Sequence, residues 1–229
     1  MKRILLLLFL VSCTKEMNTV IFDYSFDSGP FPTKGMADEI SSRLPGSITI
    51  TLKGTNTYTI RTGEDVSIPY GDYEVTGTYT PEATQYIYGT TRFLSESPKI
   101  VVYDNISIIE GKSEYSVNAS YGSFAVGVLP SETSSWKGMF KSQENSVNCI
   151  KTQNLWWTFV TGNFNSDSPF RMTLSSESGD TKTLFLYTDS PDSDGTLVEY
   201  GKWYIFHPTD TPIGSYSFGL NTPDWTNGN

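Results

Sequence analysis

Apolar and polar residues alternate with period two along much of the chain. In residues 20–26, Val20, Phe22, Tyr24 and Phe26 occupy every second position, a spacing that is typical of a β-strand with one buried face. Comparable patterns predict further strands at residues 48–52, 73–79, 115–119, 124–128, 155–160, 170–174, 184–187, 203–206 and 216–220.

Turn signals separate these strands at short intervals. Lys53-Gly54 and Glu110-Gly111 are examples, and their close spacing favours a sandwich over strands joined by helices. The one helical pattern covers residues 36–44, where Met36, Ile40 and Leu44 fall on one stripe. The sequence therefore predicts an all-β fold with one short helix at most.

A polar stretch without apolar periodicity, residues 131–135, divides the chain into two halves of similar length. We predict two tandem Greek-key β-sandwiches, transthyretin-like or immunoglobulin-like, over residues 20–129 and 139–229, with a linker at 130–138. One larger sandwich is the alternative, because all-β domains can exceed about 200 residues.

The first residues have the form of a secretory signal. A basic start, Lys2-Arg3, precedes eight apolar residues, fewer than the roughly 20 that a membrane-spanning helix needs. The run ends in Leu10-Val11-Ser12-Cys13, which resembles a bacterial lipobox. We predict that residues 1–12 are removed, that Cys13 is lipidated, and that residues 13–19 form a membrane tether.

Lys15-Glu16 follows Cys13 and is similar to the signal that exports Bacteroidetes lipoproteins to the outer leaflet of the outer membrane. The expected location is the outer membrane, on the cell surface, with the periplasmic face as the alternative. Cys149 is then left without a disulfide partner and is expected to be a buried apolar residue.

Composition excludes several classes of function. The chain carries 16 Lys and Arg against 25 Asp and Glu, which argues against nucleic-acid binding. One His and two Cys are too few for a zinc, iron–sulfur or haem site, so no cofactor is expected. His207 follows a predicted strand and has no catalytic motif beside it, so we expect no enzyme activity. The loops at 163–167 and 189–195 are expected to be hairpin loops rather than calcium sites.

The motif Tyr-Gly-x-aromatic occurs three times, each time before an apolar strand. The copies are Tyr70-Gly71-Asp72-Tyr73, Tyr121-Gly122-Ser123-Phe124 and Tyr200-Gly201-Lys202-Trp203. Glycine permits a tight turn, and the aromatic residue two positions later can bury its ring. A structural role is therefore expected for the motif.

With the lipobox and two strand-rich halves, these segments resemble the fimbrillin-like lipoproteins of Bacteroidetes. The resemblance implies a surface component of a pilus-like polymer or its anchor, with other pilus-like subunits as partners. In polymerising members an amino-terminal strand is released by cleavage after an Arg, and a strand of a neighbouring subunit fills the gap. Arg43 is the only Arg between Cys13 and Arg61, and is therefore the candidate processing position; an ordinary surface Arg is the alternative.

Glycan binding is the alternative function. Neighbouring residues on a strand face opposite ways, so one ring of Trp156-Trp157 must leave the core side. If Trp157 points inward, Trp156 is the candidate for stacking on a polysaccharide, unless a second sheet covers it.

Overall fold

A computed structural model describes residues 16–26, 42–128, 140–142, 145–146, 150–152, 155–175, 181–189, 195–209 and 217–221. All regular structure in these ranges is β, which confirms the all-β part of the predicted fold class. Of the predicted helix only residues 42–44 are described, and they form a turn. The strands are β1 (Met17–Phe26), β2 (Thr49–Lys53), β3 (Thr57–Arg61), β4 (Asp65–Pro69), β5 (Gly71–Tyr79), β6 (Gln85–Tyr86), β7 (Phe93–Ser95), β8 (Ile100–Ile108), β9 (Glu114–Tyr121), β10 (Phe124–Val128), β11 (Phe140–Ser142), β12 (Asn145–Ser146), β13 (Ile150–Thr152), β14 (Leu155–Thr161), β15 (Phe170–Ser175), β16 (Thr181–Tyr187), β17 (Thr196–Leu197), β18 (Trp203–Thr209) and β19 (Ser217–Asn221).

The first sheet has seven strands in the order β3-β2-β5-β8-β9-β1-β4. Its two edge strands, β3 and β4, are neighbours in sequence and are joined only by residues 62–64, so the sheet bends round towards closure. β8 and β9 pair only from Ile100 to Val102, which lets the sheet open into two leaves beyond that point. One face of each leaf lines a common core that includes Phe22, Ile50 and Val75.

Two further sheets face each other across a second core. The second sheet has the order β19-β18-β10-β14-β7-β6, with β13 also paired to β14, and the third has the order β12-β11-β15-β16-β17. Phe124 and Tyr204 of the second sheet and Phe170 of the third are buried in this core, with Phe124 edge-to-face to both of the other rings at 6.2 Å between centroids.

The opposite face of the second sheet is also buried. Trp157 and Trp203, on β14 and β18, are at most 1% exposed, and their ring centroids lie 4.8 Å apart. Because both faces are covered, β14 is buried at six of its seven positions and does not show the alternation of a half-exposed strand.

Sheet membership is interleaved along the chain. β6, β7 and β10 precede residue 130, yet all three belong to the second sheet with β14 and β18. β8 and β9 lie between them in sequence and belong to the first sheet. The predicted linker at 130–138 lies outside the described residues, and the boundary there stays a prediction.

Candidate functional site

The amino-terminal strand β1 joins two parts of the first sheet. Its first half, Met17 to Ile21, pairs antiparallel with β4, and its second half, Ile21 to Phe26, pairs parallel with β9. This is the one parallel pairing in the first sheet among the described strands. β4 has no other strand partner in the described part of the chain, so β1 alone connects it to the sheet.

Side chains of β1 fill the first core. Val20 and Phe22 are 0% exposed, and the Phe22 ring stacks on Tyr115 of β9 with 5.6 Å between centroids. Burying an apolar side chain of this size contributes about 1.5–3 kcal/mol, so these two positions hold the strand strongly. On the outer face the Ser25 and Ser116 hydroxyl oxygens lie 2.7 Å apart in a hydrogen bond between β1 and β9.

Arg43 lies in the turn that follows the undescribed segment 27–41. Its side chain is 22% exposed; Nη1 is 3.5 Å from Oε2 of Glu96, and the guanidinium lies 5.7 Å from the centre of the Trp157 ring. Nearby, the Tyr24 hydroxyl of β1 donates a hydrogen bond to the Pro45 carbonyl. Burial, with smaller contributions from Asp23 and Tyr79, raises the pKa of Tyr24, which keeps this phenol a donor. The end of β1 is thus tied directly to the chain just after Arg43.

Trp156 and Trp157 face opposite sides of the second sheet, as the sequence predicts. Trp157 is buried beside Trp203, whereas Trp156 is partly buried and packs against the core between the second and third sheets. The sheet on that side therefore covers part of the Trp156 ring. Its assignment to glycan binding stays a prediction.

The remaining candidates are spread along the chain. Cys13 and Cys149 lie outside the described residues, and His207 is a residue of β18 paired with Gly219. In the 163–167 loop, Asn165 accepts hydrogen bonds from the Ser168 amide and hydroxyl, which closes a turn. No group of three or more metal-ligating side chains occurs in the described residues, and none of their segments is a helix long and apolar enough to cross a membrane.

A cleft that the sequence analysis did not identify lies where the first and second sheets meet. It has a volume of about 570 Å³ and is lined by residues that are far apart in sequence, from Thr91 to Tyr200. Two copies of the Tyr-Gly-x-aromatic motif contribute to it, through Tyr121 and Tyr200. The repeated motif was the one feature of the sequence that could have indicated this cleft. The sequence cannot show, however, that two copies of the motif precede strands that are neighbours in the sheet.

The fold is shared with solved structures of a cell adhesion protein and a fimbrial protein from Bacteroidetes. A crystal structure of a proposed cell adhesion protein from Bacteroides uniformis superimposes with a TM-score of 0.52 at 10% identity, covering 91% of this chain and 98% of that one. The tip fimbrial protein Mfa3 from Porphyromonas gingivalis gives a TM-score of 0.51 at 10% identity, covering 78% and 94% respectively. No protein-family model and no curated protein sequence matches the chain. At this identity the likeness establishes the shared fold.

Proposed function

We propose that the chain is a lipid-anchored protein of the outer-membrane surface with a structural or adhesive role, acting as a fimbrial subunit or anchor. In this proposal Cys13 carries the lipid, the cores correspond to two tandem β-sandwiches, and the protein binds its partners without converting them. Support comes from the lipobox-like segment before Cys13 and from the fold shared with a tip fimbrial protein.

The observation that carries the proposal is the position of β1. Among the described strands β1 alone connects β4 to its sheet, and it buries Val20 and Phe22, so we treat it as a separable part of the fold. Its removal would leave the backbone groups of β4 and part of β9 unpaired and would open a cavity in the core. A strand that stays covalently attached to another subunit could satisfy both by β-augmentation.

Cleavage after Arg43 would divide the chain in a specific way. Cys13 and β1 both precede Arg43, so the lipid and the body of the protein would then be joined only by the non-covalent pairing of β1. Exchange of β1 for a neighbour's strand would release a subunit from its own anchor into a polymer. An uncut chain would stay attached to the membrane through its lipid and could form the end of a polymer.

Limited digestion of the full chain with an arginine-specific protease, which does not cut after Lys34 between β1 and Arg43, tests this role. We expect one early cut after Arg43, followed by ladders of SDS-resistant oligomers on unheated gels. Arg43→Ala should prevent both the cut and the ladders. Arg61→Ala is the matched control, because Arg61 is exposed on β3, and this variant should behave as the wild type.

Ladders that persist in Arg43→Ala would contradict the assigned processing position. A cut chain that never forms oligomers at any concentration would contradict the fimbrial-subunit role. Loss of membrane attachment in Cys13→Ala is expected as well, and attachment that persists would contradict the lipid anchor.

Glycan capture is the second candidate function. The cleft between the first and second sheets favours it, since it combines polar side chains with a partly exposed aromatic ring, Tyr200. Trp156 supports it less, because its ring packs against a core.

A further inference from the structure

The cleft between the first and second sheets is formed by two copies of one sequence motif. β10 and β18 run parallel, with Ala125 opposite Trp203, so the Tyr-Gly turns that precede them lie side by side. The Gly201 amide donates to the Ser123 carbonyl at 2.8 Å, which joins the two turns. The volume of about 570 Å³ lies within the range of about 300–1,000 Å³ found for small-molecule sites.

The described residues that line this cleft include two cations and no carboxylate. Arg92 and Lys99 are both partly buried there, and neither forms an ion pair with any described residue. The whole chain has a formal charge of −9, so the positive charge of this cleft is opposite in sign to the net charge of the protein. A second cleft, lined by Glu82 and Glu96, has the opposite character. Cations that form no ion pair within the protein favour an anionic ligand.

Glycines make room for both cationic side chains. A Cβ on Gly122 would lie 3.1 Å from Cδ of Lys99, and a Cβ on Gly162 would lie 2.6 Å from Cγ of Arg92. The Arg92 guanidinium also lies 5.6 Å from the centre of the Phe164 ring, a cation–π contact that helps to hold it in place. The side chains of Lys99 and Arg92 therefore pack directly against the backbone at Gly122 and Gly162.

The backbone around Lys99 is fixed by one buried hydroxyl. Ser123 Oγ accepts from the Lys99 amide at 2.8 Å and shares a hydrogen bond of 2.9 Å with Thr161 Oγ1. Gly122 N donates to the Lys99 carbonyl at 2.8 Å. Three segments from two sheets are thereby held together, which gives the cleft a preformed shape.

Neutral polar groups complete the lining. The Tyr200 hydroxyl can donate a hydrogen bond to either of two acceptors. These are the Asn163 side-chain oxygen at 2.7 Å and the Gly162 carbonyl oxygen at 3.1 Å. The amide nitrogen of Asn163 can donate to a ligand hydroxyl, and the Tyr200 side chain is 40% exposed beside it. Burial raises the pKa of Tyr200, so the phenol stays neutral.

The strands at the cleft offer no free edge. Val101 lies on β8, Ser120 on β9 and Thr161 on β14, and each of these strands has neighbours on both sides in its sheet. An acidic peptide could not add there as another strand. A compact ligand that presents an anionic group together with hydroxyls matches the lining better.

We propose that this cleft binds a carboxylated sugar, with Arg92 and Lys99 holding the carboxylate and Asn163 and Tyr200 contacting the ring. This rests on the proposed surface role but not on strand exchange. Its test therefore uses the full chain carrying Arg43→Ala, which cannot be cut at that position.

Calorimetry with trigalacturonate and with its methyl ester, and with sialyllactose and lactose, tests the inference. We expect saturable binding of at least one acidic sugar, at least tenfold weaker binding of its neutral counterpart, and weaker binding as salt is raised. Arg92→Gln and Lys99→Gln should each lower the affinity at least tenfold. Lys112→Gln is the control, because the Lys112 ammonium lies 4.5 Å from the Tyr115 ring and not in the cleft.

Equal binding of acidic and neutral sugars, or affinities that the two Gln variants leave unchanged, would overturn the inference. So would the absence of binding to both acidic probes in a chain that melts as the wild type does. A third outcome would also overturn the inference: the protein binds no sugar but self-associates, and Arg92→Gln abolishes the self-association. The cleft would then be a contact between copies of the chain.

Discussion

Gly162 shapes the cleft through its backbone conformation and its close approach to Arg92. Its φ of +129° is a conformation that L side chains rarely adopt, and a Cβ there would also lie 2.9 Å from Cα of Arg92. Because the second contact is to backbone, a larger residue cannot be accommodated by moving a flexible side chain. The position both fixes the turn after β14 and seats Arg92.

We therefore expect Gly162→Ala to lower the free energy of unfolding by about 1–3 kcal/mol. Urea denaturation followed by Trp fluorescence measures the effect. Gly46→Ala is the matched control, since it has no positive φ and nothing lies within 4 Å of the added methyl group. A loss in the Gly46 variant equal to that in the Gly162 variant would contradict the assignment.

Tyr121 links the first core to the cleft, and its buried phenol predicts a loss of stability at alkaline pH. Its ring stacks on Phe26 of β1, with 4.3 Å between centroids and 3° between planes. Burial, with a smaller contribution from Tyr24, raises the pKa of Tyr121 above its ordinary value of 10.0. Above pH 10 the folded state thus holds a proton that the unfolded state has lost, and stability falls as the pH rises.

Replacing the Tyr121 phenol should reduce the loss of stability at alkaline pH. We expect the melting temperature of Tyr121→Phe to fall less than that of the wild type between pH values of about 9 and 11. Tyr103→Phe is the control, because that side chain is 63% exposed, and it should keep the wild-type slope. Identical slopes for all three proteins would contradict the role of Tyr121.

At the scale of single strands, the sequence predicts faces well and partners poorly. The alternation around Val20 and Phe22 places both correctly in a core, and Tyr115 and Val117 follow the same rule on β9. The pattern cannot show that β1 pairs in parallel with β9, which lies about 90 residues further along the chain. Period two fixes which side of a strand is apolar, whereas pairing depends on long-range packing.

Strand β14 shows where that rule stops. The sequence predicts Trp157 inward and Trp156 outward, and the two rings do leave opposite faces. Both faces of the second sheet are covered, however, so the outward side leads to another core. The burial of Trp156 depends on the third sheet, which covers that face, and the sequence does not specify where the third sheet lies.

The contribution of β1 to stability is measurable with adjacent residues. We expect Phe22→Ala to cost about 3–5 kcal/mol, because it empties a fully buried site. Ile21→Ala, on the opposite face and 37% exposed, should change stability by about 0.5 kcal/mol or less. Chemical denaturation of the uncut chain gives both values, and similar losses would contradict the buried position of the strand.

At the scale of the whole molecule, the chain crosses repeatedly between sheets. It runs through β6 and β7 in the second sheet, β8 and β9 in the first, and then β10 in the second again. The polar stretch at 131–135 predicts one division of the chain, but a division in sequence does not specify which strands share a sheet. The cleft exists because of these crossings, so sequence patterns alone could not reveal it.

The proposed exchange of β1 predicts that a subunit whose β1 is held covalently in place cannot assemble, because that strand cannot be replaced. Ser25 on β1 lies directly opposite Asn118 on the neighbouring strand β9, and both residues are exposed, so cysteines at these two positions can be joined. A chain with Ser25→Cys, Asn118→Cys and Cys149→Ser can therefore be locked by oxidation and released by reduction. Ser25→Cys with Cys149→Ser serves as the control.

The most direct measurement compares the oligomer ladders of this locked chain, cut after Arg43, before and after reduction. We predict no ladder while the disulfide is intact, a normal ladder once it is reduced, and a ladder under both conditions for the control. Equal ladders from the oxidised and reduced forms of the locked chain would contradict strand exchange as its mode of assembly.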